Sequence, residues 1–539
     1  MYASSGSTGE PLPFDPSPSS PSAFARWNFV VRHWRGELPL VISYWIIDVF
    51  GSFVAVSLAP AVNRLFDLNG AYDPLKIFWG FAVFWTAMLG IRVWQIGGVW
   101  RSASRYASDR RKVGRRTGWA TAAKAMTVLS TLAIINNIAF VVGPQGREMY
   151  AMAFLDDPRM PPYAIRLMRD ATEIEVAGGF KYGLTRDFLA LLKTAPNVHV
   201  VHLNSVGGRL GEADKLYVEI RKRGLTTYVA SQCLSACTIA YAAGSERWIR
   251  RGAEIGFHSP AFPGTPPSAF ETYQNRERKY FQEAGFDATF AARAVYVPAS
   301  TIWKPTLDEL VAAKVVTNVA EGTEFAASGF GVNVDADQIG QVLSSGLLAL
   351  KALREKFPTD YSAITEAFLQ GYREGRTERE LVTDARLKIL PLVRAHLASA
   401  DDDVLIEVAK LAIAEDEALN RVDPALCYAY ASGRGNVNVG AHVPADINIR
   451  GLELEERILR SSAPRAAARP EIIDNLWNLV WSGVARRRSG NNVALLRQAV
   501  VQPAQYGEYC AAVNSMFREI LLLRTAQAAI VLRDIYSKM

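Results

Sequence analysis

The chain has 539 residues and a net charge of +7; half of its residues are hydrophobic and 21% are charged. That length calls for two or three domains, and the apolar share exceeds an ordinary soluble average, which excludes a single small soluble module. The positive balance points to a membrane surface rather than nucleic acid, because no recognition helix, zinc spacing or aromatic-interleaved sheet accompanies it.

Residues 1–24 are rich in Ser, Pro and Gly and nearly uncharged, and read as a disordered tail without a cleavable signal peptide. Residues 25–145 read as a membrane domain with three transmembrane helices, over 38–62, 77–100 and 125–142, flanked by Trp34, Tyr44, Trp79, Trp94 and Trp100. Asp48, Arg92, Asn136 and Asn137 fall inside these spans and read as interhelical glue. Arg26, Arg32 and Arg35 precede the first span, and a run from Arg101 to Lys124 follows the second, so both sides are expected in the cytoplasm. Three crossings then send everything after about residue 143 into the periplasm. The membrane module, including Gly98 to Ala103, resembles one found in bacterial inner-membrane proteins. Membrane lipid is therefore an expected partner, with the basic loop meeting anionic headgroups.

Residues 150–330 alternate strand and helix patterns. Strands are expected at 173–176, 198–203, 227–230 and 255–258, and helices at 184–194, 211–223, 236–243 and 268–283. That alternation predicts a parallel sheet. Three motifs stand on it: Asn204-Ser205-Val206-Gly207-Gly208, Cys233-Leu234-Ser235-Ala236-Cys237 and Phe257-His258-Ser259-Pro260. Each alone is a common turn, cap or buried histidine. In this order they supply a backbone amide nest, a serine at a strand-to-helix junction and a histidine that could take its proton.

Together the motifs resemble the Clp protease proteolytic-subunit family, part of the ClpP/crotonase superfamily, over roughly residues 172–320. The resemblance implies an α/β ClpP/crotonase-like fold. It makes Ser235 the nucleophile, His258 the general base, and the amides of Gly208 and Ala236 the oxyanion hole. The family's Asp falls at Ile302 or its neighbours, and isoleucine cannot orient an imidazole. Asp308 and Glu309 are the nearby carboxylates, both in a first helical turn where acidic residues are routine. The site is then a Ser–His dyad, with a carbonyl or water holding the histidine, or a non-catalytic relic.

In an oxidising compartment the four cysteines pair in one of three connectivities. A Cys233–Cys237 bridge would staple the nucleophile turn, and a Cys427–Cys510 bridge would tie helical segments together. No third or fourth ligand makes these a metal site, and no cofactor is expected. Residues 335–539 read as an α-helical domain, with helices at 339–356, 359–373, 376–399, 402–420, 470–486 and 508–537 and a loop over 433–445. The apolar stretch 520–532 reads as a buried bundle helix or a homo-oligomer contact. His199, His202, His396 and His442 read as structural. The function expected is a membrane-anchored periplasmic serine peptidase acting on peptide or protein substrates through an acyl-enzyme. The alternatives are a catalytically silent scaffold and acyl-CoA chemistry, the latter disfavoured by the Ser–His pair. No nucleotide-binding loop is present, so the chain does not itself drive ATP-dependent unfolding.

Overall fold

The computed structural model describes residues 23–54, 57, 73–435, 437–487, 491–498 and 500–538. The N-terminal region holds α1 (Ala23–Trp34), a short apolar helix over Ile42–Val54, α2 (Pro74–Lys112) and α3 (Gly118–Phe154). Pro74 at the first position and Asp73, which accepts from Leu75 N at 3.0 Å, start α2; Arg110, Arg111 and Lys112 finish it. At 39 and 37 residues, α2 and α3 run about 58 and 55 Å, beyond the ~30 Å of bilayer hydrocarbon.

Among the described residues two helices, not the expected three, are long and apolar enough to cross a membrane. The first expected span forms only the shorter Ile42–Val54 helix, because Gly36, at φ +68°, and Pro39 delay its start. Most of its remainder, 55–56 and 58–62, lies outside the described residues. The polar groups join helices in part: Arg92 donates to Asp48 Oδ1 at 2.8 Å and Gln95 to the Ile47 carbonyl at 2.7 Å. Among the described residues Asn136 and Asn137 make no such bond, and Asn137 lines a cavity.

The sheet follows from buried apolar positions: Ile174, Val176, Val201 and Leu203 are fully buried, as both faces are covered. Its order is β1 (Tyr163–Met168), β2 (Glu173–Phe180), β3 (Val200–Gly208), β4 (Thr226–Val229), β6 (Arg247–Arg250) and β8 (Asn318–Ala320). Only the β1 edge is antiparallel. β5 (Gln232–Leu234) and β7 (Glu254–Gly256) make a second parallel layer that branches from the end of β3, where Ser205 pairs with Cys233. Helices α4 (Leu184–Thr194), α5 (Leu210–Arg223), α6 (Cys237–Ala242), α7 (Glu271–Glu283), α8 (Ala288–Tyr296) and α9 (Leu307–Ala312) cover it. The branch point carries the three motifs.

The C-terminal region is helical and departs from expectation at several points. The helix expected over 339–356 divides into Ala336–Leu343 and Ala349–Lys356, and that over 508–537 into Tyr506–Leu521 and Thr525–Tyr536. The stretch after the Gly/Asn-rich loop folds as an unexpected helix, Ala445–Ser461, burying Ile447, Leu454, Ile458 and Leu459. A Cys427–Cys510 bond, Cα–Cα 6.3 Å, ties Pro424–Ala431 to Tyr506–Leu521. The region docks on the sheet through buried polar groups: Arg166 donates to the carbonyls of Tyr372 and Ala327, and Tyr372 Oη to Glu175 at 3.1 Å.

Candidate active site

Ser235 leaves β5 at φ +55°, a left-handed conformation that non-glycine residues adopt at a cost of about 1–3 kcal/mol. Two contacts fix it there. Its amide donates to the Gly256 carbonyl at 2.8 Å, and its own carbonyl accepts from Thr238 N and Oγ1 at 2.9 and 2.8 Å. A Cys233–Cys237 bond brackets the turn, with a Cα separation of 5.3 Å inside the range that a disulfide needs. Ala236 and all of α6 are buried behind it.

Gly207 closes on this turn from β3. A Cβ there would lie 2.5 Å from the Leu234 carbonyl oxygen and 2.7 Å from Ser235 Cβ, so only glycine allows the two loops to touch. Its amide donates to Ser205 Oγ at 3.0 Å and is therefore occupied within the nest. Gly208 in turn packs on the end of β2, where a Cβ would meet the Phe180 carbonyl oxygen at 2.5 Å.

His258 follows Phe257, which is buried against Phe281, Phe290 and Trp303 and pairs with Trp303 across an isolated bridge. The imidazole is half-buried, and Nδ1 has no hydrogen-bond partner among the described residues. Burial pushes its pKa below the ordinary 6.5, with a backbone bond at Ser259 opposing, so the neutral base form is favoured. No hydrogen bond joins His258 to Ser235.

Ser235, His258 and Gly208 face one cavity of about 1620 Å³. Its opposite wall is the helical hairpin, with Phe84 and Trp85 from α2 and Met149 and Met152 from α3. Asp308 and Glu309 are not brought to it. Both are exposed at the start of α9, and Glu309 accepts from Thr306 N at 2.7 Å in a capping box that holds its pKa down.

The groups that sequence reasoning missed are Arg209 and its acidic partners, Glu148 and Asp157, at 2.7 and 2.5 Å. Burial opposes the charge on Arg209, but hydrogen bonds to both carboxylates outweigh it and raise its pKa. A basic residue directly after the glycine nest and a glutamate inside an apolar helix were the available signals. A second serine–histidine–carboxylate line exists elsewhere: His202 Nδ1 meets Ser328 Oγ at 2.8 Å and Nε2 meets Glu173 at 2.9 Å. It is sealed in the interior, so it joins sheet to helical region instead of meeting substrate. Burial would raise the Glu173 carboxyl, but His202 and the Ala326 amide hold it at about 2.

No family model matches the sequence, and no curated protein matches it. Among solved structures, ClpP1 from Listeria monocytogenes is similar at 17% identity over 28% of this chain and 92% of its own, with a TM-score of 0.25. A serine-to-alanine variant of the membrane-bound stomatin-specific protease 1510-N is similar at 17% identity over 28% and 77%, with a TM-score of 0.23. A lysine-to-alanine variant of that protease in complex with a substrate peptide is similar at 16% identity over 28% and 79%, with a TM-score of 0.24.

Proposed function

We propose that the chain is a membrane-anchored serine peptidase whose active site lies on the periplasmic side of a bacterial inner membrane. The observation that carries the reading is the meeting of Ser235, His258 and Gly208 in one cavity. In the proposed reaction Ser235 Oγ attacks the scissile carbonyl carbon as His258 takes its proton. The oxyanion forms against the amides of Gly208 and Ala236. His258 then passes the proton to the departing amine, and a water, activated in the same way, releases the acyl group and restores Ser235.

The location is supported by the charge of the hairpin turn. Arg110, Arg111, Lys112, Arg115 and Arg116 gather where α2 turns into α3, the feature of a cytoplasmic end. The open end, with the cavity and both disulfides, then faces an oxidising compartment. Because the apolar hairpin walls the cavity, peptides with apolar segments near the membrane are the substrates it suits. A scaffold without catalysis is the second reading, favoured by the lack of any carboxylate on His258 Nδ1.

The test is hydrolysis of a quenched fluorescent peptide library by full-length protein in lipid nanodiscs. Cleavage by the wild type that is absent in Ser235→Ala supports the peptidase; equal rates for the two would support the scaffold.

A further inference from the structure

β2 and β3 end in register, Phe180 opposite Gly208, and the next residue of each strand is a cation. Lys181 and Arg209 reach two consecutive acids, Asp156 and Asp157, both in left-handed backbone just beyond the end of α3. The Lys181 pair, at 2.7 Å, sits on an exposed carboxylate and is weak. The Arg209 pair is of another kind. Its Nε and Nη2 grip Asp157 at 2.8 and 2.5 Å, and Nη2 also donates to Glu148 on α3 at 2.7 Å. Both acids are 3% exposed.

The same arginine has its main chain in the site. Its amide donates to the Phe180 carbonyl at 2.8 Å, immediately after Gly208. Glu148, at the other end of the grip, lies on the turn of α3 whose neighbours Met149 and Met152 wall the cavity. The buried fork thus links α3 directly to the loop that follows Gly208.

We propose that Arg209 is the positioning residue of the oxyanion loop, and that Glu148 and Asp157 make the membrane hairpin set that loop through it. This rests on the serine-peptidase reading of Ser235. An arginine is suited to the task because its planar fork fixes direction as well as distance, where a lysine would supply only a point charge.

The test uses full-length protein in nanodiscs, with Glu148→Gln, Asp157→Asn and Arg209→Lys, which preserve volume or charge. Two quantities are read on the same samples: the rate at which a fluorophosphonate labels Ser235 per folded molecule, and amide hydrogen exchange over residues 205–211. The expected result is labelling slowed about 10–100-fold, as a small misplacement of catalytic groups gives, together with faster exchange in that segment. Arg209→Lys should fall between wild type and the carboxylate variants. Wild-type labelling rates, unchanged exchange at 205–211, or a loss that only follows the folded fraction would each overturn the proposal. If wild-type protein is not labelled but exchange still rises in the variants, the peptidase reading fails and the coupling stands.

Discussion

At the scale of the residue, the site depends on two tight backbone positions. Ser235 stands at φ +55°, and Gly207 has no room for a methyl group beside it. A buried acid nearby offers an independent check on how tightly this region is closed. Glu277 on α7 is buried, and burial, with Asp214 adding repulsion, pushes its pKa up to about 8 from 4.5. Below pH 4.5 folded and unfolded chains both carry the proton, and the group has no effect on stability. Between 4.5 and about 8 the unfolded carboxyl ionises while the folded one stays protonated, so stability falls as pH rises and levels off above that range. The loss is on the order of a few kcal/mol. Glu277→Gln should therefore raise the unfolding temperature at pH 8 and leave it unchanged at pH 4, measured by thermal scans across that range. An identical pH slope in the variant would show that the carboxyl is solvated.

At the scale of the element, the two disulfides separate stability from function. In the loop-entropy account, a bond closing 83 residues, Cys427–Cys510, stabilises by about 4–5 kcal/mol, and one closing 4, Cys233–Cys237, by about 2. Cys510→Ser should lower the unfolding temperature more than Cys237→Ser, whereas only Cys237→Ser should slow Ser235 labelling, because its bond brackets the nucleophile turn. Equal effects on labelling would contradict that division. The elements around the site were legible in the sequence: 184–194 reads as an amphipathic helix and folds as one, and the strand expected over 198–203 forms from Val200 and runs on to Gly208. Helix Ala445–Ser461 escaped because it follows a Gly/Asn-rich loop and carries a dense charged face, so its thin buried stripe is masked. By chain position, Asp308 and Glu309 are the carboxylates nearest the expected orienting residue. Local capping by Thr306 engages Glu309 instead. The grip of Arg209 joins residues 52 and 61 positions apart, which no local pattern encodes.

At the scale of the whole molecule, the helical hairpin and the α/β domain share one cavity, and the C-terminal helices brace the back of the same sheet through Glu175, Arg166 and Tyr372. Asn204, which opens the nest motif, donates to Glu175 at 3.0 Å, so the bracing reaches the strand that ends at Gly208. The catalytic reading stands on Ser235 and His258 acting as a unit. The measurement that tests it most directly is labelling of the purified full-length protein by a serine-directed fluorophosphonate, located by peptide mass spectrometry. The account predicts a single adduct on Ser235, absent in Ser235→Ala, slowed about a thousandfold in His258→Ala, and with an acid limb below pH 6.5 because burial lowers the histidine pKa. Wild-type protein that reacts no faster than Ser235→Ala would contradict it.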